Sequence, residues 1–333
     1  MKTHLKALLT ITLVSFFSLS IFAQQEQWKV STIKDNLYAI TGIPGGNIAF
    51  LVTDEGILVI DSGSIPADGS KIVEKIAKTS SKPITHLIYT HFHNDHINGS
   101  AGFPENIQII AHETVKQNLI EITTPDLKKN IEKTFPEYIK GLEEKLEKLK
   151  AENDPNAEKM EQQLKANQDY FNEYKKIKIR LPEITFTDNY TLKLGKEEIE
   201  LIYQGQAHTS GNCVVIFPRH KAIHTGDLVF NNMYPYVIPE HGANTANWLD
   251  KLNELYKMNL DYVIPGHGDL TNKEGIAKQI SYFKSLRTEV KAGIDKGTSL
   301  EEMQKTIKLS EFENMKGNQF TKNIQTIYLE LNK

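Results

Sequence analysis

Cysteine is all but missing from this chain. Cys213 is the single one among 333 residues, so no intramolecular disulfide can form, and no cysteine follows the N-terminal leader to take a lipid. Stability must then come from packing and bound metal. An excess of positive charge is missing too: 39 Lys and Arg face 42 Asp and Glu, for a net charge of −3, and nothing in that balance suggests a nucleic-acid footprint. What remains, 39% hydrophobic and 24% charged residues, is an ordinary globular composition. It suits one large domain, or a domain carrying an insertion.

The leader is Met1 to Ala23. Lys2 and Lys6 precede an apolar run from Ala7 to Phe22, and Ile21-Phe22-Ala23 leads into the polar Gln24-Gln25-Glu26. This pattern predicts a secretory signal peptide, cut within a residue or two of Ala23, rather than a membrane anchor. Its removal takes two lysines and no acids, moving the net charge from −3 to −5. The expectation is a periplasmic or secreted protein, off the membrane once cut, whose partner is a small-molecule substrate.

The most informative run is His91-Phe92-His93-Asn94-Asp95-His96, four potential metal ligands at the end of the apolar, β-branched His86-Leu87-Ile88-Tyr89-Thr90. Strand-end loops are where α/β folds keep their sites. His91 and His93, two residues apart, can point the same way from an extended segment, whereas Asp95 and His96 follow on the turn into a helix and aim elsewhere. One ion cannot easily take all four, but two can.

Two strand-rich blocks flank a charged helical one. In the first, Asn36 to Thr41, Asn47 to Thr53 and Gly56 to Ile60 alternate with turns, and a helix from about Ala67 to Thr79 leads to the His86 strand and then to Gln108 to Ala111. From about Pro125 to Arg180, Leu142, Leu146 and Leu149 recur at helical spacing among dense Glu and Lys. Asn153-Asp154-Pro155-Asn156 breaks the run before Met160 and Leu164 resume it, which predicts an inserted antiparallel helical hairpin. Its heptads are too few for a coiled coil, so its charge reads as a solvated face.

The second block, from Leu181 on, has strands at Tyr190 to Leu194, Glu197 to Tyr203, Cys213 to Phe217 and Lys221 to His224. A helix near Trp248 to Met258 follows, then Tyr262 to Pro265. Polar candidates again fall at strand ends: His208, Asp227 and His267. From Lys273 the tail is helical, with runs at Ile280 to Ile294 and Ser299 to Ile307.

In this order, the HxHxDH run, His208-Thr209 with Gly211, Gly226-Asp227 and Gly266-His267-Gly268 resemble the metallo-β-lactamase superfamily over about Lys29 to Leu270. Asp61 in Val59-Ile60-Asp61-Ser62-Gly63 resembles the early aspartate of that family. The resemblance implies an α/β fold: a four-layer αβ/βα sandwich with the metal site at one edge, here from residue 28 to 333. It also implies two zinc ions, one on His91, His93 and His208, the other on Asp95, His96 and His267, with Asp227 bridging them. Imidazole and carboxylate ligands suit zinc, and two ions can hold a shared hydroxide that attacks a carbonyl, as in a β-lactam, lactone, ester or thioester. Asp95 would accept a hydrogen bond from that hydroxide and orient it.

The ligand set departs from the cysteine-containing lactamases, which place a Cys where this chain has Asp227. It looks more like that of glyoxalase II and the lactonases, although glyoxalase II carries its extra helices at the C-terminus. Alternatives are a mononuclear iron oxygenase of the persulfide-dioxygenase type and a metal-binding protein without catalysis. A diiron redox protein of this fold expects a glutamate where His93 stands, and no basic cluster marks a groove for phosphodiester cleavage of nucleic acid. Cys213, in an apolar strand, reads as core. His86, His112, His220 and His224 match no ligand motif. His241, in the Tyr- and Pro-containing loop from Asn231 to Ala246, is a candidate lining of the substrate cleft, and Gly45-Gly46 is either a tight turn or a tip that closes over substrate.

Overall fold

The computed structural model describes residues 28–332; the leader expected over Met1 to Ala23 lies outside them. Strands β1 (Lys29–Lys34), β2 (Leu37–Thr41), β3 (Ile48–Thr53) and β4 (Gly56–Ile60) run as an antiparallel meander. Helix α1 (Pro66–Ala77) then crosses over to β5 (Ile84–Ile88), parallel to β4. A one-turn helix, α2 (Asn94–Ile97), precedes β6 (Gln108–His112), parallel to β5.

The helical stretch begins at Glu113, upstream of the boundary near Pro125 that the charge pattern suggests. Helices α3 (Glu113–Asn118), α4 (Thr124–Lys129) and α5 (Phe135–Ala151) follow one another through two π-turns, Leu119–Thr123 and Asn130–Thr134. The cause lies in Pro125 and Pro136, which lack an N–H and clash with the carbonyl four residues back. The residues just before them, Thr124 and Phe135, donate instead to carbonyls five residues back, those of Leu119 and Asn130. Helix α6 (Ala157–Tyr174) returns antiparallel to α5, and Leu142, Leu146 and Met160 form the core of the hairpin.

This excursion ends in β7 (Ile184–Phe186), which pairs parallel to β6 and completes a seven-stranded sheet ordered β1 through β7. The sequence reading placed everything after Leu181 in the second block, and β7 corrects it. A parallel neighbour demands a long crossover, which the helices supply, and three residues are too few to show a period-2 pattern.

The second sheet holds β8 (Asn189–Leu194), β9 (Glu197–Tyr203), β10 (Cys213–Phe217), β11 (Ala222–His224) and, beyond a short β12 (Phe230–Asn231) and helix α7 (Thr245–Lys257), β13 (Tyr262–Ile264). Its order is β13-β11-β10-β9-β8. The short β14 (His267–Gly268) pairs parallel with β12. Helices α8 (Lys273–Asp295), α9 (Leu300–Thr306) and α10 (Phe320–Leu331) close the chain, and no helix among the described residues is long and apolar enough to cross a membrane.

Alternation along the strands builds the layers. In β10, Cys213, Val215 and Phe217 face Leu51, Leu58 and Ile88 of the first sheet, while Val214 and Ile216 face the helical side with Trp248 and Phe283. On the far face of the first sheet Phe50, Val59 and Leu87 pack against Ile72 and Ile76 of α1. The result is the four-layer helix–sheet–sheet–helix sandwich, with Cys213 in its central core.

Candidate metal centre

Four strand ends converge on one edge of the sandwich. Past β5 the chain stays extended, the Tyr89 N–H donating to the Ile110 carbonyl and the Thr90 carbonyl accepting from the Cys213 N–H, so His91 emerges between the sheets. His93 is extended (φ −69°, ψ 145°) and starts α2, whose single turn swings Asp95 and His96 to the other side. Beyond β9, the Asn212 side chain accepts from the Thr209 N–H and hydroxyl, tightening the turn that presents His208. Beyond β11, Asp227 sits on a turn where Gly266 approaches so closely that a Cβ there would lie 2.0 Å from Asp227 Oδ1.

All seven residues singled out from the sequence meet here, in two groups. His91, His93, His208 and Asp227 form one; Asp95, His96 and His267 the other, each offering its ligand atom within 4.8 Å of the rest of its group. Asp227 joins them: its Oδ2 lies 3.8 Å from His91 Nε2, 3.4 Å from His208 Nε2 and 3.3 Å from His267 Nε2, and its Oδ1 lies 3.1 Å from His96 Nε2. Asp95 Oδ2 lies 3.2 Å from His267 Nε2 and, at 35% exposure, is more open than His267 at 17% or Asp227 at 4%.

The outer hydrogen bonds decide which imidazole nitrogen is bare. The Thr90 hydroxyl gives its proton to Asp61 Oδ2 at 2.8 Å, so towards His91 Nδ1, 3.0 Å away, it can only accept. His91 therefore carries its proton on Nδ1 and turns a bare Nε2 inward. His208 Nδ1 donates to the Tyr236 carbonyl at 2.9 Å, and His96 Nδ1 to Asp61 Oδ2 at 2.7 Å, with the same outcome. His91 Nε2 and Asp227 Oδ1 are buried with no hydrogen-bond partner, a costly state for polar atoms unless a cation meets them. This donor set fits a metal.

The electrostatics agree. Burial, reinforced by the neighbouring rings, pushes His91 and His93 well below the ordinary histidine range. Burial would do the same to His96, but Asp227, Asp95 and Asp61 outweigh it and hold His96 well above that range. His267 is raised to about 9, Asp227 and Asp95 likewise outweighing its burial. Burial would raise Asp95 and Asp227, yet the histidines around them pull both well below the usual carboxylate range. The cluster calls for positive charge where its inward nitrogens meet: a second proton on His96 and on His267 supplies it, and a cation would take the place of those protons.

Other candidates fall elsewhere. His224 is buried and braces the Asp227 turn, its Nδ1 accepting from the Gly226 N–H and its Nε2 donating to the Asn47 carbonyl. His112 caps α3, and His220 meets Asn36. His86 bonds its neighbour Thr85. Gly46 lies against the His96 ring, and the Asn47 side chain donates to the Pro265 and Gly268 carbonyls beside His267, so this tip is packed into the site. His241 contacts the cluster, its Nδ1 lying 2.8 Å from His93 Nε2. The part played by the Tyr236 carbonyl carries no sequence signal, because any residue has one.

The family model of the metallo-beta-lactamase superfamily matches residues 41–267, and the chain belongs to that superfamily. A metallo-beta-lactamase type 2 from Elizabethkingia meningoseptica is 22% identical over 284 residues, 82% of this chain and 92% of that protein. Among solved structures, a metallo-beta-lactamase from Pontibacter korlensis shares the fold with a TM-score of 0.56 and 17% identity, over 78% of this chain and 99% of that one. The stereoselective inverting sec-alkylsulfatase of a Pseudomonas species gives a TM-score of 0.66 at 15% identity; the match covers 91% of this chain but only half, 50%, of that protein.

Proposed function

We propose that this protein is an exported dinuclear zinc hydrolase that attacks a carbonyl centre, in a β-lactam, lactone, ester or thioester. The observation that carries the reading is the set of fixed rings: His91, His96 and His208 are each tied through Nδ1 to an outer partner, which turns Nε2 inward around an Asp227 that touches both groups. His91, His93 and His208 would hold one zinc, Asp95, His96 and His267 the other, with Asp227 between. Such a pair, when bound, would supply a nucleophilic hydroxide near neutral pH and polarise the oxygen under attack.

The residues of the chain do the rest. Asp95, charged and partly exposed, would accept a hydrogen bond from the nucleophile and orient it towards the substrate. Thr90 and Asp61 keep His91 and His96 from turning, so the centre is preorganised before substrate arrives. A single His/His/Asp iron of the oxygenase type would leave the Asp95, His96 and His267 group without a purpose. Export rests on the Met1 to Ala23 leader and places the enzyme in the periplasm or outside the cell.

The Elizabethkingia relative, matched along most of its length, makes a β-lactam the first substrate to try. The alkylsulfatase likeness, which takes in more of this chain, makes sulfate esters the second. Purified protein loaded with zinc is offered nitrocefin, a lactone and thioester panel, and alkyl sulfates. Turnover of a carbonyl substrate that is lost on chelation and regained with zinc supports the proposal. No turnover by protein holding two zincs would sink it, and turnover of alkyl sulfates alone would replace the carbonyl with a sulfate ester.

A further inference from the structure

Three of the four inward-facing histidines with a resolved outer hydrogen bond are held by a hydroxyl, a carboxylate or a backbone carbonyl; the fourth, His93, is held by a histidine. Its Nδ1 lies 2.9 Å from His208 Nε2, inside the cluster, and its Nε2 lies 2.8 Å from His241 Nδ1. Because His208 gives its one proton to Tyr236, its Nε2 is bare, and a metal shared with His93 requires a bare Nδ1 there too. A neutral His93 then has its proton on Nε2, and His241 must accept it through Nδ1.

His241 is built into place for this. Its carbonyl accepts from the Ser210 N–H at 3.0 Å, two residues from His208, and its N–H donates to the Ile238 carbonyl at 3.1 Å. Its ring meets the edge of Phe92, the residue between His91 and His93, with centroids 5.3 Å apart. Gly242, at φ +85°, lets the chain turn directly against Ser210, where a Cβ would fall 2.9 Å from the Ser210 Cβ. The loop is thus pinned on both sides of the ring.

We propose that His241 is a positioning residue of the metal centre, accepting the Nε2–H of His93 and so presenting the bare Nδ1 of that ligand to the metal. The inference rests on the reading of His93 as a ligand. It also couples the loop from Asn231 to Ala246 to the hold on the metal. Outer partners of this kind change metal affinity by about 10–100-fold when removed.

The test measures zinc affinity of the full chain by competition with a chelating indicator, together with the visible spectrum of the cobalt(II) form. Wild type is compared with His241→Leu and His241→Phe, which lack an acceptor, and with His241→Asn, whose Oδ1 can stand where Nδ1 stood. The expected result is a loss of about 10–100-fold at one of two sites with Leu and Phe, a changed cobalt spectrum, and recovery to near wild type with Asn. Unchanged affinity and spectrum in whichever acceptor-free variant folds, or an Asn variant as weak as that variant, would overturn it. Wild type that binds no zinc would instead overturn the metal reading itself.

Discussion

Gly46 lies so close to His96 that a Cβ on it would fall 2.1 Å from the His96 Cε1 atom. The ring cannot retreat, because its Nδ1 is tied to Asp61 at 2.7 Å and the residue is fully buried. The β2–β3 tip is therefore a wall of the metal centre. Gly46→Ala must displace His96, at a cost of about 1–3 kcal/mol from overpacking. It should also weaken zinc binding at the proposed site of Asp95, His96 and His267. Chemical denaturation with zinc titration checks this; a variant with wild-type stability and two intact sites contradicts the contact.

Asp95→Ala separates chemistry from folding. The carboxylate is about a third exposed and sits on a one-turn helix, so its loss should cost stability no more than about 0.5–3 kcal/mol, the ordinary range for a point substitution. The rate should fall by about 10²–10⁴-fold, the range for a lost acid–base group. Turnover and thermal melting, measured on the same preparation with zinc in excess, give the comparison. A variant that melts far lower, or keeps its rate, is inconsistent with an orienting role.

Asp68 supplies a pH test away from the metal. Burial raises its carboxyl to about 6, against hydrogen bonds from the Ser64 and Ile65 N–H groups and the charge of Lys71. A folded-state value above the unfolded 3.8 means that the native form binds more protons between about pH 4 and 6. Its contribution to stability is thus full below that window and is lost as pH rises through it. Asp68→Asn keeps the acceptor oxygen and removes the titration, so relative to wild type it should gain roughly 2 kcal/mol between pH 4.5 and pH 7.5. Denaturant midpoints that move in parallel for the two proteins would contradict this.

That the seven residues come together was legible because each lies at or just past the end of an apolar strand, a pattern that depends only on neighbours in sequence. The strands around them were legible for the same reason, as the β-branched β3, β4 and β10 show. Elements set by distant partners were not. Strand β1 is partly exposed on every residue and shows no alternation, and β7 exists only because β6 offers an edge. The π-turns depend on Pro125 and Pro136 acting within an otherwise unbroken helix, where a proline in sequence reads equally well as a boundary. The pairing of His241 with His93 joins residues 148 apart, and no local pattern foretells it.

The central claim is that this cluster binds two ions rather than one or none, and metal stoichiometry tests it most directly. The protein, dialysed against zinc and then against metal-free buffer, is assayed by plasma mass spectrometry beside Asp227→Ala. The account predicts two zinc ions per chain in the wild type and fewer in the variant, whose bridging carboxylate is gone. A folded wild type that holds a single iron, or no metal at all, would contradict it.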